Sequence, residues 1–257
     1  MTDRIAETFG ALKAEGRKAL VGYLTAGDPD LRQSELNIRT ALKNGVDILE
    51  LGVPFSDPTA DGPAIQAAAQ RALAAGTNVE EVLGLVRRIR KDFQTPVILF
   101  GYANPFFSYG YKKLCADAAA AGADGFLVVD MPFEESEELS IHASTHGLAL
   151  IRLIAPTTSA ARARLILRDA GGFVYYIMVA GVTGERKELT PGVRRHLSML
   201  KRITSLPVVA GFGISNGQHA GEAAKGADGV VVGSALVKAA HAGKLVPLLR
   251  ELHKALL

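Results

Sequence analysis

The chain has 257 residues, 48% of them apolar and 21% charged, enough to bury a large core as a globular protein. A net charge of +3, with basic residues scattered and no interleaved aromatics, leaves nucleic acid no footprint. No apolar run is long enough to cross a membrane, Met1 to Gly10 is charged where a signal peptide is apolar, and Cys115 is the single cysteine, so a reducing cytoplasm is expected, with no disulfide, metal or membrane contact.

Short apolar runs at 19–24, 47–51, 97–100, 125–129, 149–153, 173–177, 208–211 and 229–232 predict eight strands. Segments of helical length alternate with them, among them 31–44, 79–93, 134–146 and 160–169. That alternation implies a parallel sheet. The stretches Lys43-Asn-Gly-Val-Asp47, Ala121-Gly-Ala-Asp124 and Lys225-Gly-Ala-Asp228 put a glycine at a helix end, where a left-handed C-cap is expected. Eight β/α units in about 250 residues fit a (β/α)8 TIM barrel better than a doubly wound sheet. No Pro/Gly/Ser-rich linker divides the chain, so 1–257 is read as one domain. Two additions are expected: a helical piece around 63–73 after the second strand, and a short helix opening at Ser234 after the eighth.

The second strand carries an anomaly. Glu50 sits among Ile48, Leu49 and Leu51, where an ionised carboxylate loses solvation. It is therefore either at the wet end of its strand or tuned by its surroundings. Asp61 follows in a loop rich in Pro and Gly. Barrel enzymes place catalytic groups at the C-terminal ends of strands and in the loops beyond, which assigns both acids to the catalytic face. The plainer alternatives are that Glu50 caps a neighbouring loop and that Asp61, in Ala60-Asp-Gly-Pro63, is a turn residue or helix N-cap.

Glycine marks the loops after the last three strands: Ala180-Gly-Val-Thr-Gly184, Ala210-Gly-Phe-Gly-Ile-Ser215 and Val232-Gly-Ser-Ala-Leu236. Glycine lets backbone amides approach an anion, and helices opening near Ser215 and Ser234 would aim positive dipole ends at it. A phosphate site is expected there. A dinucleotide fingerprint fails, because Asn216 stands where the third glycine belongs. His142 and His146, four apart on a helix, have no acidic third ligand and are read as solvated surface. Cys115 reads as a helix-core residue, and of Tyr175 and Tyr176 only one can face the barrel interior.

Glu50-Leu-Gly-Val-Pro-Phe-Ser-Asp57 with Ala60-Asp-Gly-Pro63, then Tyr102-Ala-Asn-Pro105, Gly181-Val-Thr-Gly184, Gly211-Phe-Gly-Ile-Ser215 and Gly233-Ser234, together resemble the tryptophan synthase α subunit over nearly the whole chain. The resemblance implies retro-aldol cleavage of indole-3-glycerol phosphate to indole and glyceraldehyde 3-phosphate, with Glu50 as the acid/base group and Asp61 on the indole N–H. It implies an indole slot of Tyr23, Ile65, Phe100, Leu127, Tyr175 and Phe212, with Thr183 beside the substrate. Phosphate would be held at Gly184, Gly213, Gly233 and Ser234. It implies no cofactor in this chain and a pyridoxal-phosphate β subunit as partner in an αββα heterotetramer, touched by Pro54, Phe55, Asp57, Asn104 and Pro105. Tyr23 departs from the phenylalanine common in the family, and Met178-Val-Ala180 is more apolar than usual. Other readings are a stand-alone lyase of the same fold and a catalytically inactive phosphate-binding barrel.

Overall fold

All eight predicted strands form, every neighbouring pair is parallel, and the sheet they make closes on itself. The computed structural model describes residues 3–177, 191–211 and 213–257. In chain order these are α1 (Arg4–Ala14), β1 (Ala19–Thr25), α2 (Leu31–Lys43), β2 (Ile48–Gly52), α3 (Pro63–Ala74), α4 (Val79–Arg90), β3 (Val97–Gly101), α5 (Ala103–Tyr109), α6 (Tyr111–Ala121) and β4 (Gly125–Val128). There follow α7 (Glu137–Thr145), β5 (Ala149–Leu150), β6 (Arg152–Ile154), α8 (Ala160–Ile166), β7 (Val174–Ile177), α9 (Pro191–Ile203), β8 (Val208–Gly211), α10 (Gly217–Ala224), β9 (Gly229–Val232), α11 (Ser234–His241) and α12 (Leu245–Ala255).

The sheet order is β5-β4-β3-β2-β1-β9-β8-β7-β6. Its two ends, β5 and β6, are halves of the fifth predicted strand, broken at Ile151. The first half pairs with β4 and the second with β7, so one strand joins the sheet's edges and leaves no row of open backbone groups.

Alternation along the strands separates two environments. Leu20, Leu49, Leu51, Leu99 and Phe126 pack outward among the helices. Val21, Ile48, Ile98, Leu127, Ile151, Phe173, Val209 and Val231 fill the barrel interior, and Ile5, Phe9 and Leu12 of α1 close it from the N-terminal end. That plug was not anticipated, although Ile5, Phe9 and Leu12 carry i, i+4, i+7 spacing and Asp3 caps the helix at the Ala6 amide.

Other differences are local. The 134–146 segment begins as a 3-10 turn at Phe133–Glu135, and Ser136, fully buried, breaks it from α7. The helices expected at 79–93 and 160–169 stop at Arg90 and Ile166. Gly45 and Gly122 take positive φ at their helix ends, but Gly226 does not. His142 and His146 are half-buried, not solvated, and His146 Nδ1 meets the His142 carbonyl oxygen at 2.9 Å. Cys115 is buried in the core as expected. No helix among the described residues is long and apolar enough to cross a membrane.

The aspartates that end the three glycine signatures share one job. Asp47, Asp124 and Asp228 each accept an amide at the start of a neighbouring strand, from Leu20 at 2.8 Å, Val97 at 2.8 Å and Val208 at 2.9 Å. Each also meets a cation: Arg17 on Asp47, Arg90 and Arg4 on Asp124, Lys201 on Asp228. These brackets pin strand register at the end of the barrel remote from the cavity described below.

Their cost of removal follows burial. The Asp124 side chain is 6% exposed between two arginines, whereas Asp228 is 35% exposed. Asp124→Ala should lower stability by about 3 kcal/mol, because it removes the acceptor shared by two part-buried guanidinium groups and the buried Val97 amide, and Asp228→Ala by about 1 kcal/mol. Urea unfolding of both variants checks the order, and equal losses would contradict it.

Candidate active site

One residue pair further along each strand, the interior opens. A cavity of about 720 Å³ lies at the C-terminal end of the barrel, lined by Tyr23, Glu50, Phe100, Val129, Leu153, Tyr175, Gly211 and Gly233 from the strands and by Asp61, Gly62 and Ile65 beyond β2. That volume is in the range of small-ligand sites.

Glu50 is not at the wet end of its strand. It is the third of five residues in β2, its neighbours across the sheet are Tyr23 and Ile98, and its side chain is 0% exposed. Neither carboxyl oxygen has a hydrogen-bond partner. Burial alone pushes its pKa up to about 8, so at neutral pH it is held as the neutral acid. A proton donor with no internal acceptor is free to deliver its proton to a ligand.

Asp61 is held differently. Its Oδ2 accepts the Tyr102 hydroxyl at 2.9 Å, and that hydroxyl in turn accepts the Ala60 amide at 3.0 Å. Burial raises the Asp61 pKa while the Tyr102 hydrogen bond opposes the rise by favouring the carboxylate. Asp61 is not a helix cap: α3 starts at Pro63 behind Gly62, with no side chain capping it. Tyr102 is the functional residue that residue-by-residue reading missed, since it stood in the sequence only as part of a family motif.

Between the acids the walls are apolar and aromatic. Tyr23 and Phe100 meet edge to face with ring centroids 5.0 Å apart. The extra hydroxyl of Tyr23 lies 3.3 Å from Thr25 Oγ1 and over Gly52, where a Cβ would come within 2.2 Å of it. Gly52 thus makes room for the departure at Tyr23. Tyr175 is the inward tyrosine, passing so close to Gly211 that a Cβ there would lie 2.6 Å from its hydroxyl. Tyr176 points outward, to His196 Nδ1 at 3.0 Å.

The glycine-rich end is asymmetric. α11 opens at Ser234 with Gly233 as N-cap and no side-chain cap, so its first amides are free. Two amides in the first turn of α10 are already taken: Asn216 accepts the His219 amide at 2.9 Å and Glu251 accepts the Gly217 amide at 2.7 Å. The expectation that both helices offer positive ends to an anion is therefore corrected to α11 alone, with the left-handed backbone of Gly213 (φ 63°) beside it.

The structure brings together Glu50, Asp61, Tyr23, Ile65, Phe100, Tyr175, Gly213, Gly233 and Ser234. It does not bring Leu127, which is fully buried in the interior layer below; Val129, two residues on, lines the cavity instead. Thr183, Gly184 and Phe212 lie outside the described residues, as does Met178-Val-Ala180. In the loop after β2, Pro54 is buried, Phe55 half-buried and Asp57 exposed. On α5, Asn104 is exposed and Pro105 half-buried, and Phe107, not singled out in the sequence, is 66% exposed. Among the described residues no group of three His, Cys, Asp or Glu side chains is placed to hold a metal ion.

A family model described as tryptophan synthase alpha chain matches residues 9–252. The tryptophan synthase alpha chain of Geobacter sulfurreducens is 51% identical over 235 residues, covering 91% of this chain and 89% of that protein. Among solved structures, tryptophan synthase subunit alpha of Legionella pneumophila superposes with a TM-score of 0.91 at 40% identity, over 100% of this chain and 99% of that one. A chain of tryptophan synthase from M. tuberculosis in a ligand-free form matches with a TM-score of 0.91 at 32% identity, over 98% of each chain.

The burial of Glu50 makes stability depend on pH. Its pKa rises on folding from 4.5 to about 8, so between these values the folded protein holds a proton that the unfolded chain has released. The contribution is complete below pH 4.5 and is lost as pH rises through 8. Glu50→Gln removes it, and its stability advantage over the parent should widen by about 2–3 kcal/mol between pH 6 and pH 9. Urea melts at the two values test this; a constant gap would show that Glu50 titrates normally.

Proposed function

The chain belongs to the tryptophan synthase alpha chain family, lyases of tryptophan biosynthesis that cleave indole-3-glycerol phosphate, and we propose that Glu50 and Asp61 carry out that cleavage here. The observation that carries the reading is the unpartnered, neutral carboxyl of Glu50 facing the same cavity as an aspartate held by Tyr102.

Breaking the bond between indole C3 and the glyceryl carbon requires a proton on C3 and loss of the proton from the adjacent hydroxyl. Glu50, protonated at neutral pH, gives its proton to C3; its carboxylate then takes the hydroxyl proton as the C–C bond breaks and the aldehyde forms. One group thereby serves both transfers and returns to its starting state. Protonation of C3 places positive charge at the ring nitrogen, and Asp61, accepting that N–H, stabilises it. Tyr102 keeps the aspartate oriented, and its hydrogen bond favours the carboxylate against the opposing effect of burial. The ring would lie between Tyr23, Phe100 and Tyr175, and the phosphate on the free amides of α11 near Gly233 and Ser234, with Gly213 opposite. Leu127 then supports the slot from below; Thr183, Gly184 and Phe212, outside the described residues, are assigned to the substrate by the family resemblance alone.

The partner in this reading is a tryptophan synthase β subunit carrying pyridoxal phosphate, in an αββα complex in the cytoplasm, with 1–257 acting as one catalytic domain. The chain of a tryptophan synthase structure among its matches supports a β partner, and the alternative of a stand-alone lyase is not favoured. Phe55, Asp57, Asn104, Pro105 and the exposed Phe107 are the contact surface. Phe55 packs on Tyr102 with ring centroids 5.3 Å apart, and Tyr102 holds Asp61. A β subunit seated on Phe55 thus presses on the group that orients a catalytic acid.

Glu50→Gln should lower kcat for indole release by about 10²–10⁴, with substrate binding retained, and Asp61→Asn should disable turnover similarly. Indole release from indole-3-glycerol phosphate by the folded variants is the measurement, and parental rates would remove the assigned roles. Phe55→Ala should reduce stimulation by excess β subunit by about tenfold, more than it reduces the basal rate. Rates with and without β subunit decide it, and an unchanged stimulation ratio would break the link.

A further inference from the structure

The cavity holds the two acids Glu50 and Asp61, and among its described lining residues Lys238 is the one lysine or arginine. It lies on α11, four residues after Ser234, hence on the same helical face as the free first turn. Side chains on a helix lean toward its N-terminus, which carries the Lys238 ammonium back toward the Gly233 and Ser234 amides. Lys238 is exposed and takes part in none of the ion pairs or side-chain hydrogen bonds of the described residues. α11 carries no acid, and Glu251 on the neighbouring α12 is engaged with the Gly217 amide. Nor does Lys238 serve the catalytic acids. Burial alone acts on Glu50, and Asp61 is relieved only by Tyr102.

We propose that Lys238 is a substrate-binding residue that pairs its ammonium with the phosphate dianion resting on the first turn of α11, and so makes the cavity select a phosphorylated chain over a neutral one. The inference rests on the reading that the phosphate lies at α11. Backbone amides supply direction but no net charge, whereas a lysine supplies the point charge that a dianion leaving water requires. The plain alternative is that a lysine in the last turn of α11 merely complements the helix dipole, which would leave ligand affinity unmoved.

The test is steady-state cleavage of indole-3-glycerol phosphate by Lys238→Met and Lys238→Arg, with competitive inhibition by glycerol 3-phosphate and by neutral indole-3-propanol. Lys238→Met should raise KM and the glycerol 3-phosphate inhibition constant by about tenfold or more, with kcat falling by less than threefold, because phosphate is bound alike in ground and transition states. Lys238→Arg should restore affinity to within about threefold, and inhibition by indole-3-propanol should not change. If Lys238→Met binds glycerol 3-phosphate as the parent does, the inference fails while the phosphate placement stands. If indole-3-propanol weakens equally, the lysine acts on cavity shape and the inference also fails. If glycerol 3-phosphate does not compete in the parent at all, the placement falls and Lys238 with it.

Discussion

A carboxyl group sealed in the barrel with no hydrogen-bond partner is the constraint on which the remaining features depend. Glu50 has 0% exposure and two orphan oxygens, an arrangement that destabilises the folded state whenever the group ionises. A well-solvated glutamate would be ionised at neutral pH and could not protonate a ring carbon. The described residues instead keep the acid neutral by burying it with no hydrogen-bond partner among them. Such a site persists only if the surrounding sheet holds the strand in place without help from Glu50 itself.

That support comes from the other end of the barrel. Closure through the two halves of the fifth strand leaves no edge, and α1 plugs the interior with Ile5, Phe9 and Leu12. The Asp47, Asp124 and Asp228 brackets tie strand amides to cations at the end of the barrel away from the Glu50 cavity. Stability and chemistry are thus separated along the strands, with the dry layer containing Ile48, Ile98 and Leu127 dividing them. Activity can be tuned at the C-terminal end without loosening the register set at the N-terminal end.

The two acids illustrate two ways of setting protonation. Burial raises the pKa of both, but nothing opposes the rise at Glu50, whereas the Tyr102 hydrogen bond opposes it at the partly exposed Asp61. Two carboxyls set differently by their surroundings can divide the work of donor and charge stabiliser. Because Tyr102 also packs on Phe55, the second setting is open to influence from the exposed loop, while the first, inside the barrel, is not.

Much of this was legible in the chain itself. Alternating apolar runs and helices determined the barrel, since a strand buried on both faces must be apolar throughout and parallel strands need helical crossovers. Glu50 stood out because it breaks such a run, and Asp61 because it follows in the next loop. What the sequence could not decide was every property set by residues distant along the chain. Whether Glu50 is wet or dry depends on Tyr23 and Ile98 across the sheet, and whether Asp61 caps a helix or takes a hydrogen bond depends on Tyr102, 41 residues away. Leu127 and Val129 differ only by depth along one strand, and the offers of α10 and α11 to an anion differ because Glu251 reaches the Gly217 amide from 34 residues on. Local pattern determines which elements form and which faces they bury; solvation, hydrogen-bond partners and depth belong to the packed structure, because each is a relation between segments that meet only once the barrel closes.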